Sequence, residues 1–253
     1  MFKKILLAAV AALAFAQVAG AQTNLQLFYD FGADRNQVTT TLEGFYNDNW
    51  GNTFFFIDHD FNHKANGGVK APTGTYFEIA RCLNFWQNTP LGGLSLQVEY
   101  NGGVYKQYYI NHSVLAGLDY FLHSSDFRNT FNFKVLYKYI ADTKSNVPMQ
   151  LTFVWGMQDL FGAKGLRFSG FADFWWEEHT VCPWKADAAD FRDWGQAGTA
   201  HTVFISEPQL WYNVGQWIGV NNLNVGSEVE LAFNFGTLKG FRARPCLGVK
   251  WIF

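Results

Sequence analysis

The sequence holds 253 residues with a formal net charge of −2, 19% aromatic residues, 24 glycines and only 6 prolines. A chain this close to neutrality lacks the basic surface that a nucleic-acid partner requires, and its length suits one large domain. Its mean hydropathy near zero does not exclude transmembrane strands, whose apolar residues alternate with polar ones.

The amino terminus reads MFKKILLAAVAALAFAQVAGAQ. Lys3 and Lys4 precede an apolar run from Ile5 to Ala16, and Ala19-Gly20-Ala21 supplies small residues at the right distance for cleavage. This is the pattern of a secretory signal peptide over residues 1–21, cut before Gln22. The apolar run is too short to cross a bilayer as a helix. Residues 22–253 are then the folded domain.

From there the period is two almost everywhere. NLQLFYDFG sets Leu25, Leu27, Tyr29 and Phe31 against Gln26, Phe28 and Asp30. LSLQVEYN, FNFKVLYKY and LNVGSEVELAF repeat the pattern, and FRARPCLGVKWIF ends the chain on a strand with one apolar and one cationic face. In order, strands are expected over 24–32, 38–46, 52–62, 74–84, 94–101, 109–120, 130–140, 149–159, 166–177, 201–213, 222–234 and 241–253. That count of about twelve is even, as in single-chain bacterial barrels, and runs of this length match tilted transmembrane strands. No helix or linker stands out. The longest connection, Glu178 to Ala200, falls on the outer side, and the short Phe161–Gly165 turn falls on the inner side, as such barrels arrange them.

Alternation alone also fits an exported β-sandwich, whose apolar face fills a core. Aromatic pairs at the strand ends decide for an antiparallel transmembrane β-barrel: Tyr46 and Trp50, Phe85 and Trp86, Trp211 and Tyr212, Trp251 and Phe253. Rings at those heights form the girdles that flank an apolar band. The last strand is expected to close on the first. Phe253 resembles the terminal signature by which the barrel-assembly machinery reads its clients.

TTTLEGFYNDNWGNTFFFIDHD (Thr39–Asp60), FEIAR (Phe77–Arg81) and SGFADFWW (Ser169–Trp176) resemble the nucleoside-specific channel-forming (Tsx-like) family of outer-membrane proteins. SEPQLWYN (Ser206–Asn213) and GVKWIF are closer to an uncharacterised branch related to it. The resemblance implies a monomeric twelve-stranded barrel in the bacterial outer membrane that passes nucleosides. Its partners would be outer-membrane lipid and a small hydrophilic solute.

Parity assigns the lumen lining. Asp30, Glu43, Asp58, Asp60, Glu78, Glu99 and Asp119 point in from early strands, and Lys134, Lys138, Arg167, Arg242, Arg244 and Lys250 from later ones. Asp173, Glu207, Glu228 and Glu230 add acids to the later half. Phe28, Phe45, Phe54, Phe56, Phe171 and Trp175 also face inward. The expected solute site combines Phe28, Glu43, Phe54, Phe56, Asp58, Asp60, Glu78, Arg242 and Arg244, with Asp58 opposite Glu78 across the third hairpin. Rings offer stacking surfaces and charges take hydroxyls. Glu230 and Arg244 are expected as cross-strand neighbours.

The same residues fit two readings: a passive channel for small hydrophilic solutes, and a non-conducting structural or adhesion barrel whose lumen is filled by a charge network. Enzymatic readings fare worse. His112-Ser113 and Asp58-His59-Asp60 place the histidine on the opposite strand face from its neighbours, so neither forms a base–nucleophile pair. No cofactor or metal is expected, although Asp58, Asp60 and Glu78 together could take a cation. Cys82, Cys182 and Cys246 have no metal spacing and are expected as free thiols.

Overall fold

The computed structural model describes residues 21–62, 70–106, 109–183 and 196–253. The expected signal peptide over residues 1–21 therefore lies outside the described residues but for Ala21.

The strands are β1 (Ala21–Asp30), β2 (Gln37–Asp48), β3 (Gly51–Phe61), β4 (Gly74–Leu83), β5 (Leu94–Tyr105), β6 (Tyr109–His123), β7 (Asn129–Ile140), β8 (Met149–Gln158), β9 (Leu166–Val181), β10 (Gly198–Ser206), β11 (Gln209–Tyr212), β12 (Leu223–Phe233) and β13 (Phe241–Ile252). All pair antiparallel with their neighbours, and β1 pairs with β13 from Asn24↔Ile252 to Asp30↔Cys246. The sheet is therefore a closed barrel with no free edge, which satisfies every strand's backbone internally.

The expected strand 201–213 is interrupted. β10 and β11 both lie between β9 and β12, so they are two halves of one stave of a twelve-stranded barrel. Pro208 has no N–H to donate, and the ladder breaks where it stands. Single bonds from Glu207 N to Phe171 O (3.1 Å) and from Val229 N to Pro208 O (3.1 Å) hold the gap closed. β9 also runs longer than expected, to Val181, which shortens the connection to β10.

Burial runs opposite to that of a soluble protein. On β1, Leu25 and Leu27 are 45% and 51% exposed, while Gln26 and Asp30 are 1% and 2% exposed. The same inversion holds on β5, β7 and β13. Burying one such apolar side chain is worth about 1.5–3 kcal/mol, so a surface built this way in water would forfeit more than the roughly 5–15 kcal/mol that holds a domain together. A bilayer removes that penalty, and the barrel resides in the outer membrane. The inversion also excludes the β-sandwich.

Aromatic belts occupy the end that carries Thr23 and Phe253. Trp50 and Phe85 meet at 6.5 Å, Phe85 and Trp86 at 6.1 Å, and Tyr212 and Trp217 at 5.4 Å. Trp211, expected among them, is instead 2% exposed and faces the lumen. It shares its parity with Glu207 and Gln209, so the strand's pleat turns it inward.

Candidate functional site

The lumen is the site, and side chains fill it. Leu115 and Leu136 are completely enclosed, and Gln26 and Gln97 nearly so. Around them run layers set by the strand register.

One layer lies over a stretch of wall without side chains. Phe28, Gly248, Gly226 and Trp211 stand in one row across β1, β13, β12 and β11. The two glycines present bare backbone to the lumen, and the two rings lie down over it, 5.5 Å apart. A Cβ on Gly248 would sit 2.6 Å from the Phe28 ring, and one on Gly226 would meet the Trp211 ring at 2.5 Å. Cys246 joins this apolar cluster, and the Lys250 ammonium sits 4.2 Å above the Trp211 ring. The expected pocket shared by Phe28, Phe54 and Phe56 is not formed: Phe28 stands level with Thr39 and Asp60, and Phe54 with Phe45. Phe54 and Phe56 lie 6.0 Å apart on β3, and Phe56 lies 5.8 Å from Tyr76.

The acids also separate. Asp58 stands opposite Tyr76, and Glu78 opposite Phe56, so the expected Asp58–Glu78 pairing is two residues out of register. The hairpin is fixed by Gly74 opposite Asp60, with Thr73 N donating to Asp60 O at 2.7 Å. Only a glycine fits at 74, because the Tyr105 ring lies directly over it to donate to Asp60 Oδ2 at 3.1 Å. The turn's centre, near Gly68, lies outside the described residues.

Most lumen carboxylates are met by neutral donors. Thr41 Oγ1 donates to Asp58 (2.5 Å), Asn24 Nδ2 to Glu43 (2.8 Å), Tyr76 Oη to Glu78 (2.5 Å) and Gln209 Nε2 to Glu228 (2.6 Å). Gln97 and Asn101 serve Glu99, and Asn132 serves Asp119. Thr39 Oγ1 donates to Asp60 at 2.6 Å. Lys138 is held by Gln150 Oε1 at 2.6 Å and lies 3.9 Å from the Trp175 ring centroid.

The arginines behave differently. Arg244 contacts Glu230 directly across the β12–β13 rung, as expected. It also reaches Asp34 at 2.6 Å and 3.0 Å, and Arg35 reaches Glu230 at 2.7 Å and Asp30 at 3.5 Å. Arg242 stands on the same face, opposite Ala232. Asp34 and Arg35 belong to the six-residue β1–β2 connection and lie outside the set that strand parity selects. Alternation says nothing once a strand ends, though an Asp-Arg pair beside the inward Asp30 carries a signal. Asp34 is largely withdrawn from solvent, which alone would raise its pKa, but the hydrogen bonds and charge of Arg244 outweigh that and hold it below the ordinary aspartate value.

His59 bonds Thr75 on the outer face at 2.8 Å, away from Asp58 and Asp60, and Ser113 is buried while His112 is not. Among the described residues no cluster of His, Cys, Asp and Glu has metal-site geometry. All three cysteines are free.

Comparison with solved structures fits this architecture. A NanC porin structure superposes with a TM-score of 0.52 at 7% identity, covering 91% of this chain and 98% of that one. A structure from a study of in-meso crystallization of membrane proteins gives 0.48 at 6% identity, over 92% and 83%. Pseudomonas aeruginosa OccK2 (OpdF) gives 0.39 at 13% identity, over 94% and 68%. At these identities the NanC likeness speaks for the barrel fold, and the other two are looser. No curated protein sequence matches the chain. A family model covers residues 21–253, and the chain belongs to that family, described as a domain of unknown function (DUF5020), which here takes the form of an outer-membrane β-barrel.

Proposed function

We propose that the protein is a passive channel for small hydrophilic solutes, neutral or cationic. The observation that carries this reading is the pairing of lumen carboxylates with hydroxyls and amides in place of lysines and arginines. A barrel built only to be rigid has no need of them. Buried charges are costly unless paired with opposite charge, and apolar filling serves stability as well or better. Carboxylates held by Thr41, Asn24, Tyr76 and Gln209 keep acceptor capacity that a hydroxylated solute or a cation uses in passing. Rings at Phe54, Phe56 and Tyr76 supply a stacking surface beside Asp58 and Glu78. A nucleoside combines a flat base with sugar hydroxyls and suits that pairing; the sequence resemblance to Tsx-like channels favours the same solute.

The complete enclosure of Leu115 and Leu136 favours a second reading, a filled barrel that conducts nothing. Planar-bilayer recording with the purified protein separates the two. Discrete openings with a cation preference support the channel. A silent bilayer, with the protein shown to be inserted, refutes it. A channel unblocked by added nucleoside removes the nucleoside assignment alone.

A further inference from the structure

The β1–β2 connection does not project away from the barrel. Its Asp34 side chain is 9% exposed and is held by Arg244, whose own side chain is 3% exposed. Its Arg35 pairs with Glu230 on β12 and with Asp30 on β1. On the facing wall Tyr105 of β5 donates to Asp60 of β3 at 3.1 Å. Asn62, just past β3, ties the connection to its neighbour, donating to the Arg35 carbonyl at 3.0 Å. Round the wall the staves run β12, β13, β1, β2, β3, β4, β5. In a twelve-stranded barrel β12 and β5 therefore face each other across the lumen. Two polar contacts, Glu230–Arg35 on the β12 side and Asp60–Tyr105 on the β5 side, therefore reach toward each other across the lumen.

We infer that Asp34 and Arg35 form the charge filter of the pore, the constriction whose two opposite charges decide which solutes enter from the side opposite Phe253. This rests on the channel reading above. A solute crossing that layer must pass alongside the Arg35–Glu230–Arg244–Asp34 network. The two residues are adjacent but opposite in sign, so each sets the selectivity in its own direction. Residues further along the lumen, such as Asp58 and Glu78, meet only what this layer admits.

The test uses the full mature protein in planar bilayers under a potassium chloride gradient, with insertion and folding checked by heat-modifiable gel migration. Asp34→Asn is expected to move the reversal potential toward anions, and Arg35→Gln toward cations. The double variant is expected to raise single-channel conductance about two-fold or more, because two fixed charges leave a narrow low-dielectric path. If Arg35→Gln does not fold, the Asp34→Asn shift alone decides, since asparagine has the size of Asp34 and differs from it in charge. A conducting parent whose variants match it in conductance and reversal potential overturns the filter and leaves the channel standing. Shifts in the same direction for both single variants also overturn it. Silence from the parent and every variant overturns the channel reading, and the filter with it.

Discussion

The glycine pair beneath Phe28 and Trp211 makes an asymmetric prediction. Gly226 and Gly248 face each other across β12 and β13, yet a methyl group added to each meets different obstacles. At Gly248 the new carbon would sit 2.6 and 2.8 Å from atoms of the Phe28 ring and 3.1 Å from the Leu27 carbonyl oxygen. The ring must move by most of an ångström to restore ordinary contact, and a ring can tilt. At Gly226 the nearest obstacle is the Leu210 carbonyl oxygen, which belongs to the β11–β12 ladder, with Trp211 at 2.5 Å behind it. Backbone must shift there, beside the Pro208 interruption. Overpacking a tight interior costs about 1–3 kcal/mol. Gly248→Ala is expected near the lower end, about 1 kcal/mol, and Gly226→Ala at about 3 kcal/mol or above by the same rule. A second substitution sharpens the contrast. Phe28→Val removes the ring that Gly248→Ala strikes, so that double variant loses less than the two singles added together. Trp211→Leu leaves the Leu210 carbonyl where it was and recovers little of the Gly226→Ala loss. The assay is urea-dependent folding into lipid vesicles, followed by tryptophan fluorescence and gel mobility. Equal losses from the two alanines, or a rescue of Gly226→Ala by Trp211→Leu, would refute the backbone-versus-ring distinction.

Arg244→Met strips Asp34 of its main partner while Glu230 keeps Arg35, and is expected to cost about 3 kcal/mol, the lower range for breaking one side of a buried pair; adding Asp34→Asn recovers most of it in the same folding assay. Because Asp34's pKa is lowered in the folded protein, its contribution is present above the ordinary aspartate range and lost as pH falls through the lowered value. The urea midpoints of parent and Asp34→Asn therefore differ most at neutral pH and converge in strong acid. Cys82 and Cys246, at 3% and 6% exposure, are expected to resist a polar maleimide in the folded barrel and to react fully in urea, as counted by mass spectrometry.

The inward and outward faces are legible in the sequence because a strand's pleat has period two whatever its neighbours do. The pairing of Glu230 with Arg244 is legible too, since the last hairpin is short and both arms alternate cleanly. Register over the third hairpin is not. A shift of two residues preserves every face, and contacts that alternation does not show, such as the Tyr105 ring lying on Gly74 and the His59–Thr75 bond, go with the observed pairing. Trp211 departs from expectation for another reason. An aromatic residue at a strand end invites a membrane-girdle assignment, although the parity that turns Glu207 inward turns Trp211 inward too. Asp34 and Arg35 escape a reading by parity because alternation stops at Asp30, and the chain's path through GADRN depends on partners about 200 residues away, such as Arg244.

The seam between β1 and β13 joins the first described residues of the chain to its last, from Asn24↔Ile252 to Asp30↔Cys246. Contacts of such sequence separation form late, because the intervening chain must be placed before its ends can meet. Phe28 over Gly248 and Asp34 on Arg244 both cross this seam. The aromatic row and the proposed filter are therefore completed by the act of closure and cannot exist in a half-built sheet. An assembly intermediate held open at this edge leaves Arg244 with Glu230 alone, and the Asp34 carboxylate of the β1–β2 connection completes the joint when the barrel shuts.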